Sequence, residues 1–225
     1  MSDWDHREAD ENQREFESVR REYDRDQLDE SSLPSDPFIL LSKWMEEATH
    51  SGTPDPTAMT LSTVDESGSP SSRIVLLKNI SRNRLIFFTS FKSKKAREIK
   101  RNPRVAAHFY WSELERQVKI TGMVAILEDA GSDSYFSSRP FESKVAAWAS
   151  AQSEVIPDRA YLEGEYQRYY KRFKDTGEVP RTSNWGAYAI SPLRMEFWQG
   201  GRYRLHDRFE YNLKEGAWSF VRLAP

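Results

Sequence analysis

The chain has 225 residues, with 33 Lys and Arg against 35 Asp and Glu and a formal net charge of −2 at pH 7. Proteins that coat nucleic acid usually carry a strong basic excess, so this balance argues against a nucleic-acid partner. Cysteine is absent, which excludes disulfides, zinc–thiolate sites and cysteine nucleophiles. The longest apolar runs are far shorter than the about 20 residues that span a bilayer, and residues 1–13 lack the apolar stretch of a secretory signal. We therefore expect a cytoplasmic protein without a membrane partner.

Charge is unevenly distributed along the chain. Residues 1–30 hold 12 Asp and Glu against 5 Lys and Arg, whereas residues 31–225 carry a net charge of +5. The acidic segment has little apolar surface to bury, so we expect most of it to be mobile. Residues 31–225 contain no internal repeat or Gly/Ser-rich linker and are predicted to form one domain. Their cationic surplus favours anionic small molecules as ligands.

The hydrophobic pattern predicts a series of short strands interrupted by helices. Phe38, Leu41 and Trp44 recur at helical spacing, whereas Val118 and Ile120 alternate with polar residues as in a strand. Helices are predicted over residues 36–49, 93–101, 132–151 and 158–175. Strands are predicted over 57–64, 72–78, 84–90, 104–111, 115–127, 185–199, 203–211 and 217–223, with turns at 65–70 and 79–83. Short strands joined by short turns predict an antiparallel barrel with helices outside it.

Several sequence motifs of common enzyme classes are missing. The chain contains no G-x-G-x-x-G, no G-x-x-x-x-G-K-[ST] and no G-x-S-x-G. Its four histidines include no pair at metal-ligand spacing, so we expect no metal site.

Basic residues cluster at the ends of two predicted elements. Arg73 and Lys78 flank four apolar residues, which fits either a buried strand with solvated ends or a strand whose charged ends face an anion. Ser93 is a natural helix N-cap beside Lys94 and Lys95. Free backbone N–H groups and the helix dipole make such a helix start a phosphate site, although a solvated basic helix start is the simpler reading.

The densest polar run is residues 196–208. On a strand, Arg204, His206 and Arg208 project to the same side, where three cations repel one another unless an anion or carboxylates compensate. The run therefore predicts either an anion site or a surface ladder paired with Asp and Glu. Its position beside Trp198 and a Gly-Gly turn favours a site.

The same run, EFWQGGRYRLHDR, together with Trp218 and the final residues 222–225, resembles the C-terminal signature of the pyridoxamine 5′-phosphate oxidase family. Further stretches agree in order, namely residues 20–23, 55–59, 73–78, 102–105, 114–118, 135–140 and 152–153. The resemblance extends from about residue 20 to the end of the chain. Many motifs in register are much more specific than one motif alone.

The resemblance implies an FMN-binding split barrel that acts as a homodimer with the flavin at the subunit interface. It implies oxidation of pyridoxamine 5′-phosphate and pyridoxine 5′-phosphate to pyridoxal 5′-phosphate. In this reaction a hydride leaves the substrate C4′ carbon for flavin N5, and O2 reoxidises the flavin and is released as H2O2. The flavin is the electron sink, so the protein is expected to orient and polarise rather than to supply an indispensable acid or base.

The resemblance also implies roles for individual residues. The FMN set is Arg73, Ile74, Val75, Leu76, Leu77, Lys78, Phe88, Thr89, Lys94, Lys95, Gln117, Gln152, Ser153, Trp198 and Arg208. The substrate set is Lys78, Tyr135, Arg139, Ser143, Arg204 and His206, with Arg20, Arg21, Glu22 and Tyr23 folding over the substrate as a lid. Arg204 and His206 are the catalytic pair, and Arg204 is expected to have the largest effect. Lys94 and Phe88 stand where the family commonly has Arg and Tyr.

Two other functions remain open at this stage. A flavin reductase fed by a nicotinamide cofactor needs the flavin-phosphate residues but has no need for Arg139, Ser143, Arg204 and His206 together. A non-catalytic FMN or pyridoxal-phosphate carrier forms no peroxide when given substrate and air.

Overall fold

The structure, a computed structural model, describes residues 21–127 and 131–225. Within these ranges the helices are α1 (Pro37–His50), α2 (Lys94–Arg101), α3 (Ser132–Ser138), α4 (Phe141–Ala149) and α5 (Arg159–Phe173). The strands are β1 (Ala58–Val64), β2 (Pro70–Leu76), β3 (Asn79–Ser81), β4 (Arg84–Ser90), β5 (Arg104–Trp111), β6 (Arg116–Leu127), β7 (Trp185–Gln199), β8 (Asp207–Lys214) and β9 (Ala217–Arg222). None of these helices has the length and apolar character needed to cross a membrane.

All nine described strands belong to one antiparallel sheet in the order β2-β1-β5-β6-β7-β4-β3, with β8 and β9 continuing from β7. The sheet divides at β7, its longest strand. One side of β7 pairs with β6 from residue 187 to residue 199. The other side pairs with β4 over residues 185–190 and then with β8 over residues 194–199. This division gives the predicted antiparallel sheet two lobes, and the sheet does not close.

Helix α1 covers the main core. The carboxylate of Asp36 accepts a hydrogen bond from the Phe38 N–H (2.9 Å), and Pro37 occupies the first turn, where a missing N–H costs nothing. The apolar face of α1 buries Trp44 edge-on against Phe197 of β7, with ring centroids 5.3 Å apart. The helix predicted over residues 36–49 is thus confirmed within one residue at each end.

The single helix predicted over residues 132–151 is wrong, because the chain forms two helices, α3 and α4. Arg139 is extended (φ −70°, ψ 150°) and lies between them, followed by Pro140. The proline ring disfavours helical geometry in the residue before it, so the helix ends at Ser138. Arg139 therefore lies in the break between α3 and α4 and belongs to neither helix.

The strand predicted over residues 203–211 begins only at Asp207. Residues Arg202–Arg204 form a short 3-10 turn, and Tyr203 and Arg204 have left-handed backbones with φ of 59° and 65°. The alternation of side chains along a strand therefore does not apply to Arg204 and His206. The prediction that these two residues share one strand face with Arg208 is wrong.

The turn predicted over residues 79–83 is shorter than expected. Residues 79–81 form β3 and pair with β4, and only Arg82 and Asn83 make the turn. Both have positive φ, 50° and 56°, as a two-residue hairpin turn that matches the strand twist requires.

Gly122 provides a test of how tightly β6 and β7 pack. The register between them shifts at Thr121/Gly122, and a Cβ on Gly122 would overlap the Ser191 carbonyl oxygen and lie 2.8 Å from the Pro192 Cα. Because backbone atoms cannot yield cheaply, we expect Gly122→Ala to lower the free energy of unfolding by about 2–3 kcal/mol. Chemical denaturation measures this change.

Gly164 is the matched control. It lies within α5, and an added Cβ there meets no atom within 4 Å. Gly164→Ala should raise the free energy of unfolding by about 0.5–1 kcal/mol, because alanine loses less backbone entropy in a helix. Equal effects of the two substitutions would contradict the packing described for Gly122.

Candidate functional site

A cavity of about 550 Å³ lies between β2, β4, α3 and α4, and we call it the cationic cavity. Among the described residues it is lined by three cations, Lys78, Lys95 and Arg139, and by no carboxylate. The predicted site residues that it brings together are Ile74, Val75, Leu76, Lys78, Phe88, Thr89, Lys95, Tyr135, Arg139, Ser143 and Gln152. Positive charge without a counter-charge makes this cavity a receptor for anions.

Arg139 enters the cationic cavity from the break between α3 and α4. Its guanidinium lies over the rings of Trp185 (5.0 Å) and Phe136 (5.4 Å). Its Nη1 atom is buried and has no hydrogen-bond partner among the described residues. Burial lowers the pKa of Arg139, although a guanidinium remains charged at neutral pH. A buried N–H donor without a partner is costly, so Arg139 is poised to bind an anionic ligand.

A stack of aromatic rings forms one wall of the cavity. Phe88 lies 4.2 Å from Tyr135 and 5.1 Å from Trp185, and the three rings are nearly parallel. Phe88 therefore serves as a packing surface at this position. The sequence analysis missed Trp185, because a tryptophan at the start of a strand gives no sign that its ring will support an arginine elsewhere in the chain.

Lys95 is held in the cavity by neutral partners. Its Nζ donates to the hydroxyl of Thr89 (3.1 Å) and to the amide oxygen of Gln152 (3.4 Å), and the Thr89 hydroxyl also lies 3.0 Å from that oxygen. The pKa of Lys95 is lowered to about 8, first by burial and then by the positive charge of Arg73, while the carboxylate of Glu98 opposes both. An anion bound beside Lys95 would restore its charge.

Other members of the predicted FMN set lie outside the lining of this cavity. Arg73 forms an ion pair with Glu98 (3.3 Å), Lys94 lies 3.7 Å from the same carboxylate, and Leu77 is buried in the main core. Glu98 was not predicted. Burial raises its pKa, but hydrogen bonds from Thr63 and Ser71 and the charge of Arg73 outweigh burial and hold the pKa below its usual value.

Helix α2 begins as the sequence predicts. The Ser93 hydroxyl accepts a hydrogen bond from the Ala96 N–H (3.4 Å) and so caps the helix. Lys94, the first residue of α2, is exposed and lines a separate cleft beside Asp65 and Glu66. Ser153, in a left-handed backbone with φ of 75°, directly follows Gln152.

A second group of predicted residues surrounds the far end of β7. Gln117, Trp198 and Arg208 line a smaller cavity of about 210 Å³. Arg208 donates to the buried Glu196 (2.9 Å) and to the Ala224 carbonyl (2.7 Å), so its guanidinium is fixed in place. Burial raises the pKa of Glu196, but hydrogen bonds from Lys119 and Arg208 and their charges outweigh this and lower it overall.

His206 lies beside Trp198, with ring centroids 4.6 Å apart. Its Nδ1 accepts a hydrogen bond from the Gly201 N–H (3.1 Å), which requires an unprotonated Nδ1. Burial, followed by the positive charges of Arg204 and Arg208, lowers the pKa of His206. Both this shift and the hydrogen bond from Gly201 favour the neutral ring.

The predicted lid is placed only in part. Arg20 lies outside the described residues. Tyr23 packs edge-on against Trp198 (5.6 Å) and His206 (5.5 Å), and the Arg204 guanidinium lies 5.9 Å from its ring. Arg21 instead forms an ion pair with Glu115 (3.1 Å), and Glu22 is exposed.

The two groups lie at opposite ends of β7 within one subunit. Thr89 pairs with Gly186 near the start of the strand, whereas Gln117 pairs with Trp198 near its end. Twelve residues of extended chain separate Gly186 from Trp198, roughly 40 Å along the strand. A single subunit therefore does not gather all the predicted site residues around one cavity.

Two family models and several known proteins match this chain. Residues 45–173 match the family described as pyridoxamine 5′-phosphate oxidase, and residues 185–225 match the region described as the pyridoxine 5′-phosphate oxidase C-terminal dimerisation region. The chain is 45% identical to a pyridoxine/pyridoxamine 5′-phosphate oxidase of Hydrogenovibrio crunogenus, over 92% of this chain and 97% of that protein. It is 48% identical to one from Shewanella woodyi, again over 92% and 97%.

Solved structures show the same fold. PhzG from Burkholderia lata, solved with tetrahydrophenazine-1-carboxylic acid, is 29% identical and matches with a TM-score of 0.83, over 89% of this chain and 98% of that one. A pyridoxamine 5′-phosphate oxidase-related, FMN-binding protein of Nostoc punctiforme is 15% identical and matches with a TM-score of 0.66, over 86% and 100%. The protein is thus an FMN-binding split barrel, as the sequence predicts.

The family models and the curated relatives narrow this class further. The chain belongs to the pyridoxamine 5′-phosphate oxidase family. FMN is the cofactor of this family, and the match to the dimerisation region makes the protein a homodimer.

The lowered pKa of Lys95 predicts how FMN binding depends on pH. The free protein loses the Lys95 proton as pH rises through about 8. If Lys95 contacts the FMN phosphate, as the sequence predicts, binding at higher pH takes up a proton, because a bound phosphate favours the charged ammonium. We expect the dissociation constant of FMN to rise by up to about tenfold per pH unit above pH 8. Fluorescence titration with FMN between pH 7 and 9.5 measures this dependence.

Two variants make the assignment specific to one lysine. Lys95→Met should bind FMN more weakly at pH 7 and show no such dependence. Lys92→Met, in which an exposed neighbouring lysine is removed, should keep the parental dependence. An unchanged pH dependence in Lys95→Met would contradict the role given to Lys95.

Proposed function

We propose that this protein oxidises pyridoxamine 5′-phosphate and pyridoxine 5′-phosphate to pyridoxal 5′-phosphate, with O2 as the electron acceptor and H2O2 as a product. Oxidation of pyridoxamine 5′-phosphate also consumes water and releases ammonia. Membership of the family supports the reaction type. The observation that carries the proposal is the cationic cavity, where Lys78, Lys95 and Arg139 face one space without a carboxylate among the described lining residues. Two phosphorylated ligands held together need this excess of positive charge.

We divide the hydrogen-bond donors of the cationic cavity between two phosphates, one of FMN and one of the substrate. Lys95, Thr89 and Gln152 are hydrogen-bonded to one another and form one group of donors, which we assign to FMN. Arg139 supplies a buried N–H that has no partner among the described residues, and we assign it to the substrate phosphate together with Lys78, Tyr135 and Ser143. The residues present therefore fit both ligands.

We further propose that the partner subunit completes each site. Ile74 and Leu76 line the cationic cavity yet remain 62% and 39% exposed, as expected of apolar side chains that a second subunit covers. The partner subunit's Gln117, Trp198 and Arg208 would then contact the flavin, and the partner subunit's Arg204 and His206 would contact the substrate. This arrangement accounts for the separation of the two groups along β7.

When bound, FMN would provide the electron sink for the hydride of the substrate C4′ carbon and the route for the electrons to O2. The protein supplies orientation and charge. Neutral His206 accepts from Gly201 at Nδ1, so its proton lies on Nε2, where it can donate to a substrate oxygen. The guanidinium of Arg204 is exposed and close to Tyr23, free to lie against a flat ring.

Incubation of the purified, FMN-loaded protein with pyridoxine 5′-phosphate in air tests the reaction. Pyridoxal 5′-phosphate and H2O2 should appear in equal amounts, and no nicotinamide cofactor should be needed. Peroxide formed only with a nicotinamide cofactor would indicate a flavin reductase. A yellow protein that forms neither product would indicate a carrier, and either result would contradict the proposal.

Subunit mixing tests whether each site spans two subunits. Arg139→Met and Arg204→Met should each lower kcat/KM more than tenfold. When the two variants are unfolded together and refolded as mixed dimers, half of the dimers are hybrids with one intact site, so about a quarter of the parental activity should return. Refolded single variants, checked for FMN content, are the controls. No recovery of activity in the mixture would place each site within one subunit.

A further inference from the structure

Glu115 is a buried carboxylate at an unusual position in the chain. It lies between β5 and β6 with a left-handed backbone, φ 54°, and its side chain is only 4% exposed. Its carbonyl accepts a hydrogen bond from the Gly200 N–H (2.8 Å), which fixes it beside the far end of β7. A left-handed backbone is unfavourable for a residue other than glycine, so the surrounding contacts must hold Glu115 in this conformation.

The Glu115 carboxylate receives its donors from a segment about 90 residues earlier, residues 21–28, which we call the N-terminal strap. The Arg21 guanidinium donates to Oε1 (3.1 Å), and the Arg25 backbone N–H donates to Oε2 (3.1 Å). These two donors stand on either side of Tyr23 in the chain. One buried carboxylate thus holds the strap at two points that flank a single aromatic residue.

Tyr23 is the part of the strap that reaches the proposed active site. Its ring contacts Trp198 and His206 edge-on, with centroids 5.6 and 5.5 Å away. The same ring packs so closely on Gly200 that a Cβ there would lie 2.9 Å from it. The absence of a side chain at Gly200 therefore makes room for Tyr23.

Other contacts fix the strap beyond Tyr23. Asp26 pairs with the buried Arg116 (2.6 Å), and the Leu28 N–H donates to Asp207 (3.0 Å). Asp24 pairs with Arg202 on the surface (2.9 Å), where an ion pair contributes little. Glu115 is the buried group that binds the strap on both sides of Tyr23.

We propose that Glu115 is a positioning residue for substrate binding: it latches the N-terminal strap so that Tyr23 stays against His206 and Trp198. This role rests on the function proposed above. Loss of the carboxylate removes the ion pair to Arg21 and the acceptor of the Arg25 N–H at once. Only the side-chain contacts of Arg21 with the Ser112 carbonyl (3.1 Å) and of Arg25 with the Glu113 carbonyl (2.5 Å) then remain there, and Tyr23 leaves its place more often. Since Tyr23 contacts no group assigned to FMN other than Trp198, the effect should fall on substrate affinity more than on cofactor content.

Hydrogen exchange of the FMN-loaded full chain tests the latch without relying on activity. In Glu115→Ala, amides within residues 21–28 should exchange about tenfold faster than in the parent. Glu115→Gln should exchange at an intermediate rate, because its amide oxygen can still accept from the Arg25 N–H while the ion pair with Arg21 is lost. Glu66→Gln is the control, because that carboxylate pairs with Arg101 (2.5 Å) and contacts no part of the strap among the described residues.

Steady-state kinetics of the same proteins test the role in substrate binding. Glu115→Ala should raise the KM for pyridoxine 5′-phosphate about tenfold and change kcat less than about twofold, with Glu115→Gln between Glu115→Ala and the parent. FMN content and melting temperature are measured alongside. A merely structural role would lower these two quantities together and would not divide KM from kcat.

The outcomes are distinguishable. Unchanged exchange in Glu115→Ala would overturn the latch, whatever the kinetics. Faster exchange with an unchanged KM would overturn the role in substrate binding. If the parent itself forms no pyridoxal 5′-phosphate, the proposed function fails and the substrate role of Glu115 fails with it, while the exchange data still decide whether the latch exists.

Discussion

The site depends on cations that have been taken out of water and that line the cationic cavity with no carboxylate among its described lining residues. Lys95 is held by a hydroxyl and an amide, and Arg139 by aromatic rings, so each keeps its charge available for a ligand. The cost of that arrangement is visible in the lowered pKa values of both residues. A carboxylate beside Lys95 or Arg139 would stabilise the charged form of that residue and pair with it. The cation would then have less need of a phosphate as its partner.

The buried carboxylates lie outside the lining of the cationic cavity, where they orient basic residues. Glu98 fixes Arg73, Glu196 fixes Arg208, and Glu115 binds the N-terminal strap. Each of these carboxylates is nearly inaccessible to solvent, so each ion pair is little screened. The protein thus separates the charges that hold its framework from the charges left free for ligands.

Strand β7 connects the two halves of the molecule and also keeps them apart. Its first half carries the wall of the cationic cavity through β4, and its second half carries Trp198 and, through β8, Arg208. The two ends of one extended strand cannot meet, because a strand cannot fold back on itself without breaking its pairing. In the homodimeric arrangement that we propose, the end of β7 in one subunit would reach the cationic cavity of the other.

Most elements were determined by the sequence alone, because they rest on local periodicity. The strands over residues 84–90, 104–111 and 185–199 agree with prediction residue for residue, and the Ser93 cap is where its hydroxyl suggests. The break at Arg139 could also have been predicted, since a proline follows it. The apolar pattern on either side instead indicated one continuous helix. Local sequence is enough to predict an element wherever the residues that interact are neighbours in the chain.

Tertiary structure decided what depends on distant contacts. The left-handed backbone at Tyr203 and Arg204 has no local signal, because neither residue is glycine or asparagine. Trp185 supports Arg139 from 46 positions away in the sequence, and Glu115 binds Arg21 across 94. The path of the sheet brings such distant residues into contact. The burial and charge pairing that stabilise these contacts exist only once the chain is folded.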